Sequence, residues 1–326
     1  MRRIWISRTG GPEVLELREE PDPVPAAGEV LVHVKASGVN FADVMARMGL
    51  YPDAPKLPAV VGYEVAGVTD DGSRVMAMTR FGGYADKVCV PAAQLFPVPA
   101  KLSFVEAAAI PVQWLTAWHM LVELGSLRRG HKVLVHAAAG GVGTAALQIC
   151  KRAGAEVIGT ASPAKHERLR QMGIAHAIDY QKFDDKVLEL TGGRGVDIAL
   201  DAVGGESFRR SYRALAPAGR LMMFGASAMV GGRTRRIGPA LKTIAGMRPF
   251  WPMQLLQQNK GVHGINMGHL WGEVELLGRE LREVLKGVES GDFVPIVDAQ
   301  VPFAEARKAH ERLQDRQNFG KVVLVP

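Results

Sequence analysis

The sequence predicts an α/β protein, a doubly wound parallel sheet joined to a second, β-rich domain. Three observations carry this reading. The first third is a series of short strand-like runs broken by Pro and Gly, and from about Ser103 strand and helix patterns alternate. A glycine cluster, VLVHAAAGGVG over 133–143, stands where a strand runs into a helix. A chain of 326 residues has room for two domains, because single cores rarely keep growing beyond about 250–300 residues.

Taken in order, residues 1–110 read as strands at 4–7, 15–18, 29–37, 60–68, 74–78 and 85–91, with a turn signal at Asp70-Asp71-Gly72-Ser73. A helical stretch then runs through Glu123. Strands follow at 132–137, 156–160, 175–178, 196–201, 220–224 and 262–265, with helical patterns at 141–153, 163–172, 182–190 and 205–215. Six strands with helical crossovers make a doubly wound sheet. Residues 225–260 read as an insertion ahead of the sixth strand. Helices at 272–289 and 303–315 precede a terminal strand at 321–325.

The apolar fraction of 47% and charged fraction of 22% are those of ordinary globular chains. A net charge of +7 favours anionic ligands, but no Lys/Arg run stands beside interleaved aromatics, which argues against nucleic acid. Cys89 and Cys150 are far apart and lack metal or disulfide spacing, which fits a reducing cytoplasm. No targeting signal is read at the N-terminus. The longest apolar stretch, 133–150, is broken by glycines and His136, so no membrane span is expected.

Ala138-x-Gly140-x-x-Gly143 follows a strand and opens a helix, the context that gives such a glycine pattern its meaning as a Rossmann phosphate loop. Gly140 lets the backbone approach a pyrophosphate, Gly143 lets helix and strand pack closely, and the helix start supplies N–H donors. The cofactor-binding set here is Ala139, Gly140, Gly141, Val142 and Gly143. Ala138 replaces the usual first glycine, which is tolerated if its φ stays negative. Roughly twenty residues on, where an acid would bind a ribose 2′-hydroxyl, the second strand ends at Thr160-Ala161-Ser162 without a carboxylate. With Ser162 and Lys165 at the next helix start, this favours NADPH over NADH. Ser162 also reads as a plain helix cap ahead of Pro163.

Four longer stretches can be set beside these: GPEVLELREEPDPVPAAGEVLVHVKASGVNFADVMARMGLYP, EAAAIPVQWLTAWHML, VLVHAAAGGVGTAALQICKRAGAEVIGTASPAKHE and the terminal NFGKVVLVP. On them the chain resembles the medium-chain dehydrogenase/reductase superfamily, in its zinc-free quinone oxidoreductase (zeta-crystallin-like) branch. GTASPAKHE and LLQQNKGVHGINMGHLWGEVELL are most similar to the vesicle amine transport protein subgroup. The resemblance implies a GroES-like catalytic domain over 1–111 and 266–326 and a Rossmann NADP-binding domain over 112–265. Zinc members carry a cysteine in the early loop, a Gly-His-Glu and a four-cysteine lobe. This chain has Ser37-Gly38-Val39-Asn40 and Gly62-Tyr63-Glu64 and no such lobe, so no metal site is expected.

The resemblance further implies that Asn40 and Thr116 lie near the nicotinamide, with Asn40 also a catalytic candidate. Thr160, Ser162, Lys165 and Tyr180 would surround the adenosine end, and Phe224, Gly225, Asn318, Phe319, Gly320 and Lys321 would close over the cofactor. Tyr51, in Gly49-Leu50-Tyr51-Pro52, matches a tyrosine of related enoyl thioester reductases and is the candidate proton donor. Plain readings stand beside these: Asn40 as a turn residue, Thr116 as a helical hydroxyl bonded to its own backbone, Tyr51 as packing over the loop's prolines.

Without a metal, a hydride acceptor is made electrophilic by conjugation to a carbonyl, so enones, quinones and enoyl-CoA thioesters are the expected substrates. In the insertion, Arg233, Arg235 and Arg236 suit the phosphates of coenzyme A or an acidic headgroup, or a solvated loop. Pro249-Phe250-Trp251-Pro252-Met253 suits an apolar pocket, a lipid-facing patch, or packing against a helix. His136, His263 and His269 lack metal spacing, and Asp201 reads as a turn cap or a crevice residue. An NADPH-dependent reductase is the first reading; an NADP-binding interaction protein at a lipid surface is the second. The resemblance implies a homodimer through the sixth Rossmann strand, Gly261–Asn266.

Overall fold

The computed structural model describes residues 1–234 and 237–326. They form two compact units, one of Met1–Leu115, the described part of 230–236 and Met267–Pro326, the other of Thr116–Met229 and Ile237–Asn266. The fold is mixed α/β, with a parallel Rossmann sheet in the second unit and a GroES-like domain in the first.

The first unit begins with β1 (Arg2–Ile6) and β2 (Leu15–Glu19), paired antiparallel so that Ile4, Ile6 and Leu15 face one core. β3 (Glu29–Val39) is the long central strand, followed by α1 (Phe41–Arg47). The expected strand over 60–68 is two, β4 (Ala59–Val60) and β5 (Glu64–Thr69). Gly62 between them holds a φ of +105°, and a Cβ there would lie 2.6 Å from the Tyr84 nitrogen, so the chain turns where the alternation alone suggested it ran straight. β6 (Arg74–Met78), β7 (Lys87–Pro91) and β8 (Leu95–Pro97) continue the antiparallel sheet. α2 (Phe104–Ala107) starts at a Ser103/Glu106 capping box and leads into α3 (Pro111–Trp118).

In the second unit β9 (Lys132–Val135) ends two residues earlier than expected, because Ala137 turns into the left-handed region at φ 51°. α4 (Gly141–Ala153), β10 (Glu156–Thr160), α5 (His166–Gln171), β11 (His176–Ile178), α6 (Phe183–Leu190), β12 (Val196–Asp201) and α7 (Glu206–Arg213) alternate as the periodicity requires. β13 (Leu215–Met223) starts five residues before the expected 220, while α7 stops at Arg213. The insertion contains two helices that its composition did not announce, α8 (Ile237–Gly246) and α9 (Pro252–Gln258), before β14 (Gly261–Gly264). The six strands are parallel in the order β11-β10-β9-β12-β13-β14, the order of a dinucleotide-binding sheet, with β14 at one edge.

The chain then completes the first unit with α10 (Val274–Ser290), β15 (Val297–Pro302), α11 (Ala306–Gln314) and β16 (Lys321–Val325), which pairs with β3. Among the described residues no helix is long and apolar enough to cross a membrane.

Candidate functional site

The glycine cluster lies at the carboxyl end of β9, next to β12, where the strand order reverses. The left-handed residue of the turn is Ala137, one position before the one the fingerprint reserves for glycine, so Ala138 needs no glycine. Ala138 donates its N–H to the Thr160 carbonyl at 3.0 Å, and its methyl fits because the adjacent strand carries Gly159. A Cβ at 159 would come within 2.6 Å of the Ala138 methyl. Gly140 donates back to the Ala137 carbonyl at 2.8 Å, and α4 then begins with no side chain capping it. The first-turn N–H groups of Gly141, Val142 and Gly143 have no intrahelical acceptor, and the positive end of the helix dipole adds to them. This donor set fits a pyrophosphate, with no side chain competing for it and no Cβ on three of the four residues from 140 to 143.

At the next strand ends, Thr160 is in register with Ile178, and Ala161 donates to the Ile178 carbonyl at 3.0 Å. Ser162 and Tyr180 therefore leave neighbouring strands at the same end of the sheet. Ser162 holds capping geometry ahead of the turn Pro163–Lys165, yet its hydroxyl makes no cap bond, so the plain capping reading is not what its side chain does. Residues 160–165 carry no carboxylate, while Asp179, exposed just before Tyr180, accepts the Tyr180 N–H at 2.6 Å.

Thr160 itself is buried and hydrogen-bonded to His136 Nδ1 at 3.0 Å, so it supports the loop from below and does not offer its hydroxyl. His136 Nε2 meets Ser211 Oγ at 2.9 Å, and Ser211 donates to Asp201 Oδ2 at 2.7 Å. Burial pushes the His136 pKa down, so the ring is neutral. Asp201 also accepts from the Val203 N–H at 2.8 Å and the Ser207 hydroxyl at 2.7 Å, which makes it a buried cap. Phe224 donates to the Asp201 carbonyl at 3.1 Å, and Gly225 has no room for a Cβ, which would meet the Ala202 carbonyl at 2.9 Å. Thr116, on α3, is 6% exposed.

The first unit gathers the other group. Lys321, 3% exposed, directs Nζ to Asn40 Oδ1 at 2.7 Å and to the Glu64 carboxylate, with which it forms a buried ion pair. Glu64 also accepts from Asn40 Nδ2 at 2.9 Å and from the Val112 N–H at 2.8 Å. The Asn40 amide is thus oriented from both ends, with one Nδ2 proton left over. Among the described residues no three His, Cys, Asp or Glu are grouped as a metal site.

The segment before Lys321 is engaged within this unit. Asn318 donates to the Gly320 carbonyl at 2.9 Å, Phe319 is buried and donates its N–H to Asp298 at 2.9 Å, and Gly320 holds a φ of +92°. These residues seat the lysine. The Phe319 ring is buried, and the Lys321 ammonium is paired with Glu64.

Asp43 locks the same corner. It accepts from the Asn40 N–H at 2.8 Å, the Gly62 N–H at 3.0 Å and the Tyr84 hydroxyl at 3.1 Å, fastening the start of α1 to the turn before Glu64. Burial pushes its pKa from 3.8 up to about 7, against the pull of those donors and of Lys321. A carboxyl raised on folding binds its proton in the native state first, so this group's contribution to stability falls as pH rises from 3.8 to about 7. Asp43→Asn is expected to flatten the dependence of Tm on pH across that window. An unchanged slope would show that Asp43 is ionised throughout.

Tyr51 is half-buried and packs edge-on against Tyr63, with ring centroids 6.1 Å apart. Tyr63 is the residue that reasoning from sequence missed. Its hydroxyl is buried with no hydrogen-bond partner, and burial raises its pKa, so it remains a donor. Its signal was the tyrosine in Gly62-Tyr63-Glu64, which registers in sequence only as a lost ligand. In the insertion, Arg233 pairs with Asp315 and, at 3.2 Å, with Glu311, so it is not a free phosphate anchor; Arg235 and Arg236 lie outside the described residues.

Residues 26–100 match the family model for the alcohol dehydrogenase GroES-like domain, and 141–282 match that for the zinc-binding dehydrogenase. The chain is 39% identical to the rat synaptic vesicle membrane protein VAT-1 homolog, over all of this chain and 84% of that protein. Among solved structures, the quinone oxidoreductase from Thermus thermophilus, determined also in complex with NADPH, is 36% identical with a TM-score of 0.85, and each chain is covered completely. The CurK enoyl reductase is 27% identical with a TM-score of 0.86, over 99% of this chain and 98% of that one. These relations make the chain a member of the medium-chain dehydrogenase/reductase superfamily, in its zinc-free quinone oxidoreductase branch close to the VAT-1 homologues.

Proposed function

We propose that the protein is an NADPH-dependent reductase that transfers hydride to a carbon–carbon double bond conjugated to a carbonyl, in an enone, a quinone or an enoyl thioester. The observation that carries this reading is the uncapped start of α4 at the switch point of the sheet, with a Ser162 hydroxyl unused by its helix at the adjoining strand end. Two relatives solved with NADPH, one of them a quinone oxidoreductase, and a third named an enoyl reductase support it.

The loop N–H groups of Gly141, Val142 and Gly143 would hold the pyrophosphate, and Ser162, Lys165 and Tyr180 the 2′-phosphate. NADPH, when bound, supplies a hydride. Negative charge then develops on the substrate oxygen, where a hydroxyl donor stabilises it, and a proton reaching the α-carbon completes the reduction. Tyr51, with the unpartnered Tyr63 hydroxyl beside it, supplies this donor chemistry. Asn40 is held for its role by Lys321 and Glu64. The dimer of this reading pairs the open edge of β14 with its copy.

The test is NADPH oxidation against a panel of enones, quinones and enoyl-CoA thioesters. Ser162→Asp places a carboxylate against the 2′-phosphate and is expected to weaken NADPH at least tenfold, about 1.4 kcal/mol, while leaving NADH unchanged. Tyr51→Phe is expected to slow enone or enoyl reduction by roughly 10²-fold and to spare quinones. Binding of NADPH with no turnover across the panel would sink the reductase reading.

A further inference from the structure

We propose that Asp43, Tyr84 and His310 form one buried relay in which the charge on Asp43 selects the nitrogen that carries the His310 proton, which makes Tyr84 and His310 positioning residues for Asn40. The relay is independent of the reductase reading; only its consequence for turnover rests on that reading.

The first observation is a shortage of donors. Asp43, Tyr84 and His310 come from three separate segments and are all fully buried. The Tyr84 hydroxyl meets Asp43 Oδ2 at 3.1 Å and His310 Nε2 at 3.2 Å. Burial holds the phenol neutral, and a phenol has one proton, so it donates to one neighbour and accepts from the other. With Asp43 ionised, Tyr84 donates to the carboxylate and His310 Nε2 carries a proton toward Tyr84. Protonating Asp43 reverses this order. Both carboxyl oxygens face backbone donors, Gly62 at Oδ1 and Asn40 at Oδ2, so an acid proton finds its acceptor in the Tyr84 oxygen. The hydroxyl then turns to His310, where Nε2 accepts it and the ring proton sits on Nδ1.

The second observation is that nothing else on His310 makes the choice. Nδ1 is buried without a hydrogen-bond partner, so no group there favours a proton over a lone pair. A second ring proton is excluded as well, because burial and the charge of Arg47 hold the His310 pKa well below its ordinary value. Arg47 is itself fully buried, one helical turn from Asp43 on α1, with Nη2 on Gln314 Oε1 at 2.7 Å. A neutral imidazole with one uncommitted nitrogen has two states, and Tyr84 decides between them. Of the other charged and titratable groups, Lys321 and Tyr63 act on Asp43, and Glu13 and Glu311 act on Arg47.

The far end of the relay is the start of α1. Asp43 Oδ2 also accepts the Asn40 N–H at 2.8 Å, and a charged acceptor holds such a donor more strongly than a neutral one. The Asn40 backbone is therefore gripped while His310 carries its proton on Nε2 and loosened when the proton is on Nδ1.

The test is a pH titration of the whole protein by nitrogen NMR, which tells protonated from bare ring nitrogens; His310→Gln identifies the His310 signals by difference. The ring is expected to stay neutral, with its proton on Nε2 at high pH and on Nδ1 at low pH, and the Asn40 amide should shift at the same midpoint, about 7. Tyr84→Phe removes the hydroxyl and keeps the ring, so the His310 proton should no longer respond to pH. In the reductase, kcat should fall about threefold as Asp43 is protonated, with KM unchanged, and this limb should move to higher pH in Tyr84→Phe, where Asp43 has lost a donor. A His310 proton that stays on one nitrogen across the titration, a ring that becomes doubly protonated, or an exchange of nitrogens that survives in Tyr84→Phe overturns the proposal. The native spectra decide the matter even if Tyr84→Phe fails to fold. Absence of turnover with the exchange intact would sink the reductase reading and leave the relay standing.

Discussion

Lys321→Met is expected to destabilise the protein by about 3–5 kcal/mol, because it leaves the fully buried Glu64 carboxylate without its counter-ion. The loss should appear as a fall in Tm of roughly 10 °C, at about 2–4 °C per kcal/mol for domains of this size. Removing both charges is a different matter. Lys321→Met combined with Glu64→Gln is expected to recover most of the loss, since replacing a buried pair by neutral groups is often neutral while breaking it is not. The same cycle reports on Asn40. With Lys321 gone, Asn40 Oδ1 loses its 2.7 Å donor and the amide is free to flip, so reductase activity should fall further than stability alone explains. A Lys321→Met protein as stable as the native one would mean that the ammonium is not needed inside and is free to meet a ligand.

Gly143→Ala is expected to damage the phosphate loop from within. The added Cβ would stand 2.5 Å from the Ala138 carbonyl and 2.6 Å from the Ala137 carbonyl, both backbone atoms that no rotamer change can move. The start of α4 must shift away from β9, at a cost of about 1–3 kcal/mol typical of overpacking. That displacement carries the N–H donors with it, so NADPH should bind at least tenfold more weakly. Thermal unfolding and an NADPH fluorescence titration measure the two effects separately. Loss of affinity with Tm intact would still place the loop at the cofactor; unchanged values for both would remove the close helix–strand packing from the account.

Much of this was legible in the residues themselves. Helix 141–153 and strands 156–160, 196–201 and 321–325 have the bounds their periodicity indicated, since glycine, proline and turn residues punctuate them. Strand 60–68 was not, because apolar alternation continues through Gly62, whose left-handed turn answers to Tyr84, far along the chain. The helix at 237–246 was hidden for the opposite reason, its large apolar side chains being outward, where amphipathic pattern would put charge.

The sequence by itself determined the layer order, the family and the place of the phosphate loop, because these depend on local punctuation and on the period of apolar residues. Only the tertiary structure decided which polar groups are occupied. Lys321 reaches Glu64 and Asn40 across more than 250 positions, Asp43 gathers donors from three separate segments, and Ser162 is left with an unused hydroxyl. Partnerships of this kind are set by which strands the fold lays side by side, and no spacing along the chain encodes them.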